Sequence, residues 1–256
     1  SKIHGQDMNG DGEGDFGSCI FKKRNAQSYF AIQTFAAPIV QTQGTAQGFH
    51  FDNATMKPII NNEGWKKAFE LYKATGQYGP PDELNMDIGD TRALFKAGRC
   101  GLIVEWGDPG TLQLDDDAKS IRGKMYAISA VGSTEVLDRA TGKLVPVSAA
   151  TAPYAVDGIN YAPFAAFGGW AGAVNKGADA KTKAAAYAFL SYMNQAAQSG
   201  VDVTIGATGY NPYRTSQLAS TDLWVKAGMP KALADNYLGA INGAINNLNM
   251  ASDMKI

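Results

Sequence analysis

Five oxygen-bearing side chains stand at alternate positions near the start of the chain: Asp7, Asn9, Asp11, Glu13 and Asp15, with Gly10, Gly12 and Gly14 between them. A hard cation takes oxygen ligands, and glycines permit the sharp turn around it, so this spacing is that of a Ca²⁺ loop. An EF-hand also needs a bidentate Glu at loop position twelve, where this chain has Ser18. A calcium sensor is therefore excluded. Two readings remain. One is a static, structural Ca²⁺ site with Asp7, Asn9, Asp11 and Asp15 as side-chain ligands and Glu13 giving its carbonyl or carboxylate. The other is a polar, glycine-rich linker.

Catalytic patterns do not emerge. His4 and His50 are the two histidines, and neither belongs to an HExxH or another zinc spacing. There is no GxSxG, no phosphate-binding loop with its lysine, and no GxGxxG opening a helix. Ser18-Cys19 has no evident base, and the acidic run 115–117 reads as a solvated turn, as does Lys22-Lys23-Arg24. An enzyme is not expected. A formal net charge of −1 argues against a nucleic-acid or membrane-surface partner. Cys19 and Cys100 are either two buried thiols or one disulfide made in an oxidising compartment. Asn53-Ala54-Thr55 is a glycosylation acceptor triplet in a eukaryotic secretory setting.

The elements that must position such groups alternate along 256 residues. Strands are expected at 16–21, 100–106 (a buried one), 124–132 and 167–177. Helices are expected at 28–44, closed by Gly44, at 61–76, capped by Asn and ended by Gly76, and at 87–98, capped by Asp87 or Asp90. The strongest helical pattern covers 178–200, with Ala185, Phe189, Tyr192 and Met193 on one face. Residues 133–163 read as a long loop with one short hairpin around 140–143. Further helices follow a loop at 208–217. Alternation without an internal repeat means an α/β class.

Three stretches in order carry a resemblance: LFKAGRCGLIVEWGD at 94–108, FGGWAGAVNKGADAKTKAAAYAFLSYMN at 167–194, and TGYNPYRTSQL at 208–218. Together they resemble the extracellular, sugar-type solute-binding proteins of ABC importers. The resemblance implies a periplasmic-binding-protein type II-like, two-lobed α/β fold, working outside the cytoplasm with a transporter as partner. A variant of it is the ligand-sensing ectodomain of a membrane receptor, as in green-algal membrane proteins. A structural or adhesive domain is the other alternative. By the same analogy 1–15 is an entry segment, 16–125 and 205–256 form the second lobe, and 126–204 forms the hinge and the returning part of the first. Part of the first lobe is then missing, as in a fragment, a processed chain, or a fold completed by another segment.

A cleft for sugars needs flat apolar faces for the C–H side of a ring and planar polar groups for its hydroxyls. Trp106, followed by Gly107 and Asp108, meets both needs. Trp170 does so from the other side, with Gly168 and Gly169 before it to let backbone approach. Tyr210, Asn211 and Arg214 add donors. Core packing competes as the role of each tryptophan, and a structural ion pair competes as the role of Arg214. Trp65 and Trp224 lie on amphipathic helices and belong to the core.

Overall fold

The computed structural model describes residues 1–252 except Ala130, Phe167, Gly168 and Ala207. Helix α1 (Ser28–Val40) buries Phe30, Ile32, Ala36, Ile39 and Val40 along its apolar side. It ends four residues before Gly44, and the cause is tertiary. The buried Asn160 side chain donates to the carbonyls of Pro38 and Gln41 at 2.8 Å each, and buried Asn249 donates to Gln41 at 2.7 Å. Those amides satisfy carbonyls that a helix end leaves without partners. Helix α2 (Glu63–Thr75) starts as expected, with the Asn62 side chain accepting from the Trp65 N–H. Gly76 does not stop it in a left-handed turn; the chain runs on as one 3₁₀ turn to Tyr78. Trp65 and Ala68 pack with α1 and Phe49 in one core cluster.

Helix α3 (Ile88–Lys96) carries the expected cap, with Asp87 and Asp90 bonding reciprocally across its first turn. The strand expected at 100–106 is not formed. Residues 16–21 and 100–106 run side by side, but they share only two isolated parallel bridges, Phe16 with Cys100 and Cys19 with Ile103. Other backbone donors go elsewhere: the Ser18 N–H to the Tyr78 carbonyl and the Ile20 N–H to Glu83 Oε1. Lys22 is no solvated turn residue either; it is buried in an ion pair with Glu83. The Cys19 and Cys100 sulfurs are bonded, with Cα atoms 5.8 Å apart.

Three two-stranded sheets complete this part. Strand β1 (Gly132–Ser133) is what remains of the strand expected at 124–132, and it pairs antiparallel with β4 (Asn160–Tyr161). Between them lies the expected hairpin, β2 (Glu135–Asp138) with β3 (Lys143–Pro146). It is packed rather than loose, because Val136 and Leu137 are buried and Arg139 donates to the carbonyls of Val40 and Gly48. Strand β5 (Phe164–Ala165) runs parallel to β6 (Ala251–Ser252). Leu137, Leu144, Ala162 and Phe164 thus share a core with α1 and α2.

The segment 169–175 has no regular structure, where a strand was expected. The long helix expected at 178–200 is two helices, α4 (Ala180–Met193) and α5 (Ala196–Asp202), separated at Asn194 and Gln195. No described residue of α4 is buried. Short helices α6 (Thr215–Leu218) and α7 (Asp222–Lys226) lead into α8 (Lys231–Ile245). Trp224, Met229, Leu233 and Tyr237 form a second core, so Trp65 and Trp224 are both core residues. Among the described residues no helix is long and apolar enough to cross a membrane.

Candidate functional site

A cavity of about 870 Å³ opens between α3, the 3₁₀ segment Asp108–Leu114, Ala166 with residues 169–172, the end of α4 and the loop 209–213. Of the seven residues expected to bind ligand, six line it: Trp106, Asp108, Gly169, Trp170, Tyr210 and Asn211. They come from three stretches far apart in sequence. Arg214 is not brought in. Its guanidinium donates to Ser199 Oγ at 3.1 Å and to the Asn194 carbonyl, bracing the junction of α4 and α5. Gly168 lies outside the described residues.

The two tryptophans are held differently. Trp106 has one side on the core, stacked on Phe21 with ring centroids 5.8 Å apart and edge-on to Phe30 at 5.0 Å. Trp170 is 72% exposed, and its indole N–H donates to the Gly209 carbonyl at 3.2 Å. One ring is thus backed by core aromatics, and the other is tied to the backbone at Gly209. Gly169 before it has φ +92°, a conformation that only glycine adopts without strain. At Gly107, an added Cβ would meet Asn211 Oδ1 and Ile241 Cδ1, each at 3.1 Å, which is why Asn211 can approach the backbone beside Trp106. Phe189 and Met193, expected together on one helix face, both line the cavity.

The cavity wall also holds a charged group that sequence reasoning passed over. Arg92 on α3 donates to Glu105 at 2.9 and 3.0 Å and to Asp108 at 2.8 and 3.1 Å. Both carboxylates are almost fully buried. One signal was legible: a Glu inside the apolar run 100–106, which needs a partner if buried. Burial works against the Arg92 charge, but the hydrogen bonds and charges of Glu105 and Asp108 outweigh it and raise its pKa. Burial lifts the Glu105 carboxyl from 4.5 to about 7, against the pull of Arg92 and with a further push from Asp108.

That lift sets a pH dependence. Between pH 4.5 and about 7 the folded chain keeps a proton on Glu105 that the unfolded chain releases. Its stabilising contribution is complete below the unfolded value and is lost as pH rises through the folded one, a span of about 3 kcal/mol. Heat unfolding of Glu105→Gln is expected to vary less with pH across this window than that of the parent; equal slopes would contradict the assignment.

The acidic loop is folded on itself. Asp7 accepts from the backbone of Gly10, Asp11 and Gly12, and Asp15 accepts from Met8 and Asn9. Arg99 reaches Asp11, Glu13 and Asp15 at 2.9, 3.1 and 3.2 Å. The Asn9 side chain donates to Asp11. One guanidinium is therefore shared by three of these carboxylates. Ca²⁺ binding here is a proposal with a direct test: saturable stabilisation by millimolar Ca²⁺, abolished by Asp11→Asn. A melting point indifferent to Ca²⁺ would remove it. Asn53 is exposed on the turn 52–57, with its amide donating to the Ala46 carbonyl.

No family model matches the sequence, and no curated protein matches it. Among solved structures, the chain is similar to an ABC transporter solute-binding protein from Agrobacterium radiobacter K84, determined in complex with ribitol. The TM-score is 0.54 at 16% identity, over 92% of this chain and 56% of that one. The likeness is one of fold, within an α/β class, and this chain spans little more than half the length of that protein.

Proposed function

We propose that this chain is a non-enzymatic domain that binds a small polar solute, a sugar or a related polyol, outside the cytoplasm. A membrane transporter, or a receptor, would read the bound state. The observation that carries the proposal is the cavity of about 870 Å³ with aromatic rings and planar polar groups on its walls. Such a combination suits a ligand with apolar C–H faces and many hydroxyls. The fold likeness to a solute-binding protein solved with ribitol supports the same reading. Asp108 is spoken for as a general base, because both its oxygens accept from Arg92. Two lobes closing around the ligand would supply the signal that a partner detects.

Trp170→Ala is the sharpest variant, since an exposed side chain can be removed without disturbing the core. Affinity for a bound sugar or polyol is expected to fall about tenfold by calorimetry, the scale of one apolar face returned to water. An unchanged affinity would take Trp170 out of the site. The receptor-ectodomain or adhesive alternative draws on α4, where Tyr187 and Tyr192 are exposed.

A further inference from the structure

Arg92 is the one cationic side chain among the described residues that line the cavity, and it is nearly saturated. A guanidinium has five N–H donors. Four of them are used, two on Glu105 and two on Asp108. Its charge is shared by two buried carboxylates, so little of it is left for a ligand. The remaining charged residue of the lining is Asp202, at the end of α5. Asp202 Oδ1 accepts from Gln198 at 2.8 Å, and its second oxygen has no hydrogen-bond partner among the described residues. Arg214 stands 5.5 Å from the Tyr213 ring but does not itself line the cavity, and two of its donors go to Ser199 Oγ and the Asn194 carbonyl.

Resting on the solute-binding reading above, we infer that this cavity accepts uncharged and ammonium-bearing hydroxylated solutes and rejects those carrying a carboxylate or phosphate. An anionic group would enter beside Asp108 and Asp202 and would find its natural partner, Arg92, already paired. Like charges in a partly desolvated site oppose binding strongly, because the protein screens them less than water does. An ammonium group meets the opposite situation. Asp202 offers it a carboxylate oxygen, and the faces of Trp170, Tyr210 and Tyr213 offer the negative side of the ring quadrupole. The Arg92 cluster acts here through occupancy. It denies the cavity a free cation.

The test uses sets of solutes that share a carbon skeleton and differ in charge: glucose, glucosamine and glucuronate as rings, and glucitol, glucamine and gluconate as open chains. Calorimetry at low salt is expected to give the amine an affinity equal to or above that of the neutral member. The acid should bind at least tenfold more weakly. Asp202→Asn should narrow the ratio between amine and acid. The inference is overturned if the acid binds tightest in its set, or if the ratio is the same in Asp202→Asn. If no member of either set binds at any charge, the solute-binding reading itself fails and this inference falls with it.

Discussion

Arg92→Met is expected to lower the stability of the fold by about 3–5 kcal/mol, the cost of breaking a buried ion pair from one side. The methionine fills much of the same space, so lost packing is a minor part of the effect. What remains is Glu105 and Asp108, each with a side chain only 4% exposed, facing one another without their shared cation. Two such carboxylates cannot both stay ionised, so a proton must be taken up on folding. The penalty therefore grows with pH and should be larger at pH 8 than at pH 5. For a chain of this length the melting point should drop by about 10 °C. Adding Glu105→Gln to Arg92→Met is expected to restore part of the loss, because it removes one of the stranded charges. A loss below about 1 kcal/mol, or one that does not depend on pH, would mean that the cluster is far better hydrated than its burial implies.

The second large effect concerns the bond between Cys19 and Cys100, which are separated by 81 residues. A crosslink of that span removes about 4–5 kcal/mol of chain entropy from the unfolded state in the loop-closure account. Measured losses are usually smaller, so about 2–4 kcal/mol is expected for Cys19→Ala with Cys100→Ala. Alanine is the better replacement because both positions are buried beside Phe95, Leu112 and Ile121. The two extended stretches at 16–21 and 100–106 share only two isolated bridges, so the crosslink does work that a full ladder would do in a larger sheet. Alkylation of the unfolded chain should label no cysteine without reductant and both with it. Two free thiols in the native protein would contradict the pairing, and with it one of the reasons to place the protein in an oxidising compartment.

Much that depends on local rules was legible. Asn62 before α2 and the Asp87–Asp90 pair at α3 are caps whose chemistry is read three residues at a time. Trp65 and Trp224 were placed in the core by helical spacing alone. The hairpin around 140–143 follows from its turn residues. What was missed depends on partners distant in sequence. Whether 100–106 becomes a buried strand depends on what lies beside it, and here the neighbouring stretch gives its donors to Tyr78 and Glu83. The early end of α1 depends on Asn160 and Asn249, more than a hundred residues away. The apolar face of α4 carries no label saying whether it meets a core or a cavity. Phe189 and Met193 face the cavity.

The site divides in the same way. Aromatic and amide residues near glycines were singled out, and six of the seven line one cavity. Arg214 was chosen for its donors, yet its position at the start of α6 directs them to Ser199 and Asn194. Glu105 and Arg92 were passed over because each looked ordinary within its own element. Their importance arises from meeting Asp108 in the fold.

Solute binding is read most simply from the melting point of this chain against a panel of sugars, polyols and amino acids. A ligand that binds only the folded state raises the midpoint by an amount set by its concentration relative to Kd. At one hundred times Kd the stabilisation is about 2.7 kcal/mol, and a shift of roughly 5–10 °C follows for a chain of this length. Such a shift is expected for at least one sugar or polyol, saturable and diminished in Trp170→Ala. A flat response across the panel would contradict solute binding and leave protein contact as the role of this surface.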